Sequence, residues 1–206
     1  MAAFIQEDVM ENPATTGKPI HDLIRRRWSP RAFSERPVGG DILAAVFEAG
    51  RWAASCFNDQ PWRYLVATKA DAEAHARMGS VLVPGNAWAH KAWALVLSTA
   101  RLGFERNGKP NLHAWHDVGA ASAMMSLEAV NQGLCLHQMA GFDREKARGL
   151  FGIPEGWEPV AMIAIGYAGS LDHLPEEQKA AEARPRVRKP MPEIVHTDKF
   201  GVPFDF

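Results

Sequence analysis

A cluster of arginines surrounds a Ser29-Pro30 turn near the start of the chain. These arginines are Arg25, Arg26, Arg27 and Arg31. Guanidinium groups form charge-assisted, bidentate hydrogen bonds to phosphate oxygens, so the segment predicts a binding site for a phosphate-sized anion. The alternative interpretation of three adjacent arginines is a solvated basic helix end, and Ser29 can equally be an ordinary turn residue.

A second segment, residues 54–62 (Ala-Ser-Cys-Phe-Asn-Asp-Gln-Pro-Trp), offers backbone amides, a small hydroxyl and side-chain amides to a polar ring. Together the two segments predict a site for a phosphorylated aromatic cofactor. Gln60 and Trp62 have a simpler interpretation as residues that anchor the loop.

The composition is typical of an ordinary globular protein. Of the 206 residues, 47% are hydrophobic and 23% are charged, which suffices for a substantial core in one domain. The formal net charge of -1 provides no overall field that attracts polyanions, which disfavours nucleic-acid binding. Cys56 and Cys135 are far apart, as in a reduced cytosolic protein. Residues 1–16 do not resemble a signal peptide and no run is apolar enough to span a bilayer, so we expect a soluble cytoplasmic protein.

The elements that position the two segments follow from periodicity and turn residues. Residues 21–27 form a predicted helix that must end near Trp28, because Pro30 disfavours helical geometry in the residue before it. A helix that begins at Asp41, with Asp41 as its cap, delivers residues 55–62 as a loop.

The rest of the chain alternates strands and helices, which indicates an α+β or α/β layer fold. Strands are predicted over 63–68, 92–99, 134–138 and 158–167, and helices begin near Asp71 and Asp143.

A polar segment and an apolar helix follow the second predicted strand. Residues 101–116 contain turn dipeptides, which predicts an exposed excursion that can serve as a mobile lid. Asp117 then caps a predicted helix that continues to Gln132 and is closed by Gly133. This helix is apolar almost all round, so it is buried by the fold or by a partner subunit.

The two ends of the chain have compositions unlike the middle. We expect residues 1–18 to form a flexible N-terminal arm of the single domain 1–206. Residues 170–206 are rich in Glu, Lys, Ala and Pro and cannot build a core of their own, so we expect this extension to pack over another subunit. Its Arg186 and Arg188 can return a second set of positive groups to the anion site.

Three separated segments resemble the FMN-dependent nitroreductase family, a set of homodimeric flavin oxidoreductases. Residues 27–33 are similar to its Arg-x-Ser-x-(Arg or Lys)-x-(Phe or Tyr) signature, and residues 51–62 to its Pro-Ser-x-x-Asn-x-Gln-Pro-Trp loop. The third likeness joins 133–142 with 186–190. The resemblance implies a three-layer α/β/α nitroreductase-like fold of the α+β class, with a central, mainly antiparallel sheet, in an intertwined homodimer.

The resemblance also implies which residues bind FMN. The loop that carries Ala54, Ser55 and Asn58 is expected to reach across the dimer interface to the flavin of the other subunit, which predicts sites made by two chains. The phosphate and ribityl chain are expected to lie against Arg27, Trp28, Ser29, Arg31, Arg186 and Arg188.

The flavin ring has its own expected partners. Asn86 is expected to face the pyrimidine edge, with helix capping as the alternative, and His90 is a further candidate. Because the flavin carries the chemistry, no catalytic side chain is predicted. Backbone amides of the segment 138–141 are expected beside flavin N5 and O4, with Ala140 and Gly141 as the catalytic backbone. This segment is Gln138, Met139, Ala140 and Gly141.

The implied activity is that of an NAD(P)H-dependent FMN oxidoreductase. The sequence has no Gly-rich dinucleotide motif, so NADPH or NADH is expected to bind transiently in the flavin pocket, in ping-pong turnover with a nitroaromatic or quinone acceptor. Trp88, Phe104 and Trp115 are candidate walls of the acceptor slot. A flavin-dependent dehydrogenase or dehalogenase on the same scaffold, or a non-catalytic flavin-binding protein, remains the alternative. His113 and His116 lack an evident third ligand, so no metal site is predicted.

Overall fold

A four-stranded antiparallel sheet forms the centre of the protein. The computed structural model describes residues 11–206, so most of the expected arm 1–18 lies outside the described residues. The strands are β1 (Trp62–Thr68), β2 (Ala94–Arg101), β3 (Cys135–Met139) and β4 (Trp157–Gly166), in the order β1-β2-β4-β3. Each neighbouring pair is antiparallel, which confirms the predicted central sheet.

Six α-helices lie outside the sheet within the described residues. They are α1 (Asp22–Arg26), α2 (Gly40–Arg51), α3 (Ala72–Gly79), α4 (Ala114–Asn131), α5 (Arg144–Phe151) and α6 (Glu176–Glu182). Short 3-10 stretches cover Cys56–Asn58, Pro84–Lys91, Leu171–His173 and Met191–Glu193. No helix between residues 11 and 206 combines the length and the apolar character that crossing a membrane requires.

Helices cover both faces of the sheet, which confirms the three-layer α/β/α arrangement. Successive side chains of a strand point to opposite faces, and β2 and β4 are apolar on both. One face packs against α2 and α4 in a core that contains Val46, Val96, Met125, Ile163 and Ile165. The other packs against α3, α5 and the 84–91 stretch in a core that contains Met78, Trp88, Leu95, Leu97, Ala147 and Met162. Each large side chain buried here contributes roughly 1.5–3 kcal/mol of hydrophobic free energy.

Two predicted caps are wrong. The N-cap of α2 is Gly39, and Asp41 lies in the first helical turn without capping it. Helix α4 begins at Ala114, so Asp117 lies inside the helix instead of at its cap. The earlier start arises because Asn111 accepts the N–H groups of His113 and Ala114, with its side chain and its carbonyl respectively.

The predicted strands and helices are otherwise in place, with shifts at their ends. The strand predicted over 92–99 runs from Ala94 to Arg101, and the one predicted over 134–138 from Cys135 to Met139. Gly133 has φ +74, in the left-handed region that favours glycine after a helix.

Candidate functional site

Three arginines from the two ends of the described chain lie close together. Arg186 donates from Nη1 to the carbonyls of Asn12 (2.9 Å) and Arg25 (3.2 Å), which holds the tail beside α1. Burial and the charge of Arg188 lower the pKa of the Arg27 guanidinium. Burial and the charges of Arg27 and Arg188 likewise lower the pKa of Arg186.

This cluster of Arg27, Arg186 and Arg188 lacks an internal counter-charge. Within residues 11–206 no carboxylate forms an ion pair with any of the three. The only side chain that Arg27 contacts by hydrogen bond there is Ser29, whose Oγ lies 3.3 Å from Nη1. Like charges held together are unfavourable, and a bound dianion relieves that repulsion. The cluster can therefore bind a phosphate group.

Arg25 and Arg26 do not belong to this cluster. Both donate to the exposed carboxylate of Asp22, at 2.7 and 2.6 Å. The interpretation as a solvated basic helix end therefore applies to these two arginines, while Arg27 points into the cluster.

Arg31 has a counter-charge of its own. Its Nη1 lies 2.8 Å from Oε1 of Glu182, and its backbone N–H donates to Oε2 of the same carboxylate at 3.1 Å. The Glu182 side chain is 1% exposed, and that of Arg31 is 35% exposed. Helix α6 is thereby bonded to the Ser29-Pro30 turn, and Arg31 adds less net positive charge than the sequence suggests.

His137 of β3 fixes the same turn from the other side. Its Nδ1 lies 2.9 Å from the carbonyl oxygen of Pro30, and since a carbonyl only accepts, this contact places the proton on Nδ1. The ring packs on Trp88 with centroids 4.5 Å apart, so Trp88 is a core residue and not a wall of a slot. Burial, followed by the charges of Arg31 and Arg27, lowers the pKa of His137.

The segment 138–141 follows His137 directly and is bonded to Asn86. Asn86 donates from Nδ2 to the Gly141 carbonyl at 2.9 Å. The cap of the 84–91 stretch is Val83, so Asn86 does not act as that cap. A Cβ on Gly141 would lie 2.7 Å from Asn86 Nδ2, which explains why glycine is needed there. Gln138 and Ala140 are exposed and Met139 is buried, so the backbone of this segment is accessible beside Asn86.

The loop with Ser55 has an unusual backbone. Phe57, Asn58 and Gln60 have φ of 53, 56 and 48, in the left-handed region that non-glycine residues rarely adopt. Ser55 Oγ accepts the N–H of Gln60 at 3.0 Å, and the buried carboxylate of Asp117 accepts the N–H of Cys56 at 3.0 Å. Asp117 thus holds a loop from which it is separated by 61 residues.

The segment 101–116 is bonded to that loop instead of lying free over the surface. Asp59 accepts the N–H of Glu105 at 2.9 Å and Nη2 of Arg101 at 3.3 Å. The rings of Phe57 and Phe104 pack edge to face with centroids 5.8 Å apart. The loop and the segment form one hydrogen-bonded unit.

The two predicted cofactor segments lie at opposite edges of the sheet. The Ser55 loop leads into β1, whereas the Ser29-Pro30 turn is bonded to β3. With β2 and β4 between them, strand spacings of about 4.8 Å separate the two edges by roughly 14 Å. One chain therefore brings together the arginines, Asn86 and 138–141, but not the loop with Ala54, Ser55 and Asn58.

Three carboxylates and one imidazole ring that organise these segments carry no signal in the sequence. Asp59, Asp117 and Glu182 resemble ordinary surface acids, and His137 resembles a strand histidine, until distant partners meet them. The His90 ring packs against Gly79. Among the described residues, no three His, Cys, Asp or Glu side chains gather as metal ligands do, and Cys56 and Cys135 are free thiols.

The amino-acid sequence is similar to that of known proteins. The sequence pattern of the nitroreductase family matches residues 24–83 and 75–167. The chain belongs to the nitroreductase family. An uncharacterized 15.4 kDa protein of Mycolicibacterium smegmatis is 38% identical over 139 residues, which are 66% of this chain and 92% of that protein. An NADH dehydrogenase of Thermus thermophilus is 27% identical over 203 residues, covering 82% and 91% of the two chains.

A solved structure extends the similarity to three dimensions. The crystal structure of an oxidoreductase containing FMN is 30% identical and superposes with a TM-score of 0.86 over 92% of this chain and 96% of that chain. A nitroreductase family protein from Clostridium difficile 630 superposes with a TM-score of 0.67 at 23% identity, over 86% and 97% of the two chains, which shows the fold.

Proposed function

We propose that the protein is an FMN-dependent oxidoreductase that takes hydride from NADPH or NADH and reduces a small aromatic acceptor, such as a nitroaromatic or a quinone. The main support for FMN binding is the cluster of Arg27, Arg186 and Arg188, which lacks an ion-pair partner among the described residues. The similar oxidoreductase that contains FMN supports the choice of this mononucleotide.

The residues present fit FMN. The arginine cluster and Ser29 would hold the phosphate, while Glu182 and His137 keep the turn in place. Asn86 donates to Gly141 but its Oδ1 has no protein donor among the described residues, so this oxygen is free for a ring N–H. When bound, FMN supplies a ring that accepts hydride and passes electrons to the acceptor.

The backbone of 138–141 would lie along the ring, and its N–H groups favour negative charge that develops there. This contribution does not depend on side chains, so Ala140 and Gly141 can serve as well as larger residues. The protein's role is to bind, to orient and to exclude water, and no side chain is assigned a proton-transfer role.

We propose that two chains form each site. The 14 Å separation of the two sheet edges, estimated from strand spacing, prevents the Ser55 loop from meeting the arginine cluster of its own chain. Large apolar side chains are exposed on α4 and on the extension 170–206, as expected for surfaces that a second copy covers. They are Trp115, Met124, Val187, Ile194, Phe200 and Phe206.

The visible absorbance spectrum of the protein purified with excess FMN tests the proposal. We expect a bound flavin with a stoichiometry of one per chain, bleached by anaerobic NADPH or NADH and reoxidised by a nitroaromatic. Arg27→Gln should raise the Kd for FMN at least tenfold, equivalent to about 1.4 kcal/mol, and leave the weaker riboflavin affinity unchanged. A protein that binds no FMN, or a bound flavin that neither nicotinamide reduces, would overturn the proposal.

A further inference from the structure

An open cavity of about 360 Å³ lies beside the Ser55 loop. It is lined by Phe57, Asn58, Asp59, Gln60, Arg63, Glu105 and Arg106. The cavity shares Asn58 with the proposed flavin contacts but is otherwise distinct from the residues assigned above. Its lining is mainly polar, with one large aromatic side chain.

The charges around this cavity favour an anionic ligand. Its two carboxylates, Asp59 and Glu105, both bind Arg101, at 3.3 and 2.8 Å. Arg63 and Arg106 therefore remain as guanidinium groups without a carboxylate partner in the described part of the chain. Three arginines against two carboxylates leave one net positive charge around the cavity.

Arg106 and Phe57 form a platform at the mouth of the cavity. The guanidinium carbon of Arg106 lies 4.1 Å from the Phe57 ring centroid. Phe57 is 71% exposed although it is an apolar side chain on a strained backbone. Hydrogen bonds from the Cys56 N–H to Asp117 and from the Gln60 N–H to Ser55 Oγ fix this backbone. An aromatic ring and a guanidinium presented together can accept a stacked base and a phosphate at the same time.

We propose that this cavity binds the phosphate-bearing part of the nicotinamide dinucleotide donor. The inference rests on the proposed function, because that function requires the nicotinamide ring to reach the flavin while the rest of the donor extends outside the ring site. The sequence offers no Gly-rich loop to hold a pyrophosphate, so side chains must supply the positive charge. Arg106 and Arg63 would meet the phosphates, and Phe57 the adenine.

Steady-state kinetics of the FMN-loaded Arg106→Gln variant test this assignment. With a saturating quinone acceptor, we expect the KM for NADPH to rise at least tenfold while kcat stays within a factor of two. The KM for 1-benzyl-1,4-dihydronicotinamide, a hydride donor without phosphate, should not change. If the KM rises for NADPH alone, the cavity binds the 2′-phosphate. If the KM rises for both NADPH and NADH, the cavity binds the pyrophosphate.

Arg36→Gln is the matched control. Arg36 is exposed and stacks on an aromatic ring as Arg106 does, 3.8 Å from the Tyr167 centroid, but it does not line the cavity. Its kinetic constants should equal those of the unmodified protein. A calorimetric Kd for NADP⁺ provides a readout independent of turnover, and it should rise in Arg106→Gln but not in Arg36→Gln.

Unchanged dinucleotide KM values in Arg106→Gln would overturn the cavity assignment and leave the proposed function intact. An equal rise with the phosphate-free donor would overturn it as well, since the effect would then lie at the ring. If the unmodified protein is reduced by the phosphate-free donor but by neither dinucleotide, the donor in the proposed function is wrong and the cavity assignment falls with it.

Discussion

The ion pair between Arg31 and Glu182 allows a quantitative prediction for Arg31→Ala. Removing one partner of a buried pair costs about 3–5 kcal/mol, because the other charge is left buried without compensation. Glu182 is 1% exposed, but the Arg31 side chain is 35% exposed, so water can enter the space that it leaves. We therefore expect a loss of about 2–3 kcal/mol in the free energy of unfolding of the flavin-free protein.

Urea denaturation at a fixed protein concentration measures this loss. With an m-value of about 2 kcal/mol/M, the midpoint should fall by roughly 1 M. The companion variant Glu182→Gln replaces the carboxylate with an amide that still accepts the N–H of residue 31. The double variant Arg31→Ala with Glu182→Gln should be more stable than the sum of the two single losses predicts, by about 1–2 kcal/mol.

Two outcomes would refute this reasoning. A midpoint for Arg31→Ala that lies within about 0.5 kcal/mol of the unmodified protein would show that the carboxylate is already solvated. Additivity of the two single variants within about 0.5 kcal/mol would show that the pair is not coupled. The result also decides which arginine suits cofactor studies, because Arg27 can be replaced without stranding a buried acid.

Two further predictions concern Gly141 and His137. In Gly141→Ala the new Cβ would meet Asn86 Nδ2 at 2.7 Å and Val83 Cγ2 at 2.9 Å, so the free energy of unfolding should fall by about 1–3 kcal/mol. The control Gly149→Ala, which has open space around it in α5, should be neutral or stabilising. Equal effects of the two substitutions would contradict the packing argument. Burial and nearby arginines lower the pKa of His137 in the folded state, so the unfolded chain takes up the proton first as the pH falls. The stability that this pKa difference contributes is therefore fully present above about pH 6.5 and is lost as the pH falls below it. Burial also lowers the pKa of His75, so its contribution to stability depends on pH in the same direction. In urea denaturation at several pH values, His137→Asn should therefore lose less stability between pH 7 and 5.5 than the unmodified protein. Identical slopes of stability against pH would show that His137 does not contribute.

Local patterns in the sequence were sufficient to predict most strands and helices of a layer fold, whereas the three-layer arrangement with an antiparallel sheet followed from the family resemblance. The β2 segment is apolar enough to predict a strand that is covered on both faces, and α1 ends before Pro30 as expected. The arginine cluster was predicted only in part: of the four arginines near the turn, only Arg27 belongs to it, because Asp22 and Glu182 pair with the other three. Asp41 and Asp117 were assigned wrongly because a carboxylate near a helix start has the same appearance whether it caps the helix or binds elsewhere.

Contacts between distant residues could not be predicted from these patterns. Glu182 meets Arg31 across 151 residues and His137 meets Pro30 across 107. Each resembles an ordinary surface or strand residue until the sheet is assembled, because its partner is chosen by the topology and not by its neighbours in sequence. The same holds for Asp59, whose binding of the 101–105 segment distinguishes a bonded unit from the predicted free excursion.

A short backbone pairing explains how the extension returns to the arginine cluster. The Ser34 N–H donates to the Tyr167 carbonyl and the Gly169 N–H to the Ala32 carbonyl, each at 3.0 Å, so the exit of β4 lies directly beside the end of the Ser29-Pro30 turn. A Cβ on Gly169 would lie 2.5 Å from the backbone of Phe33, so only glycine permits this approach. The chain therefore leaves the sheet at the site itself, and α6 needs only a short path to bring its buried carboxylate, and the arginines after it, back to the turn.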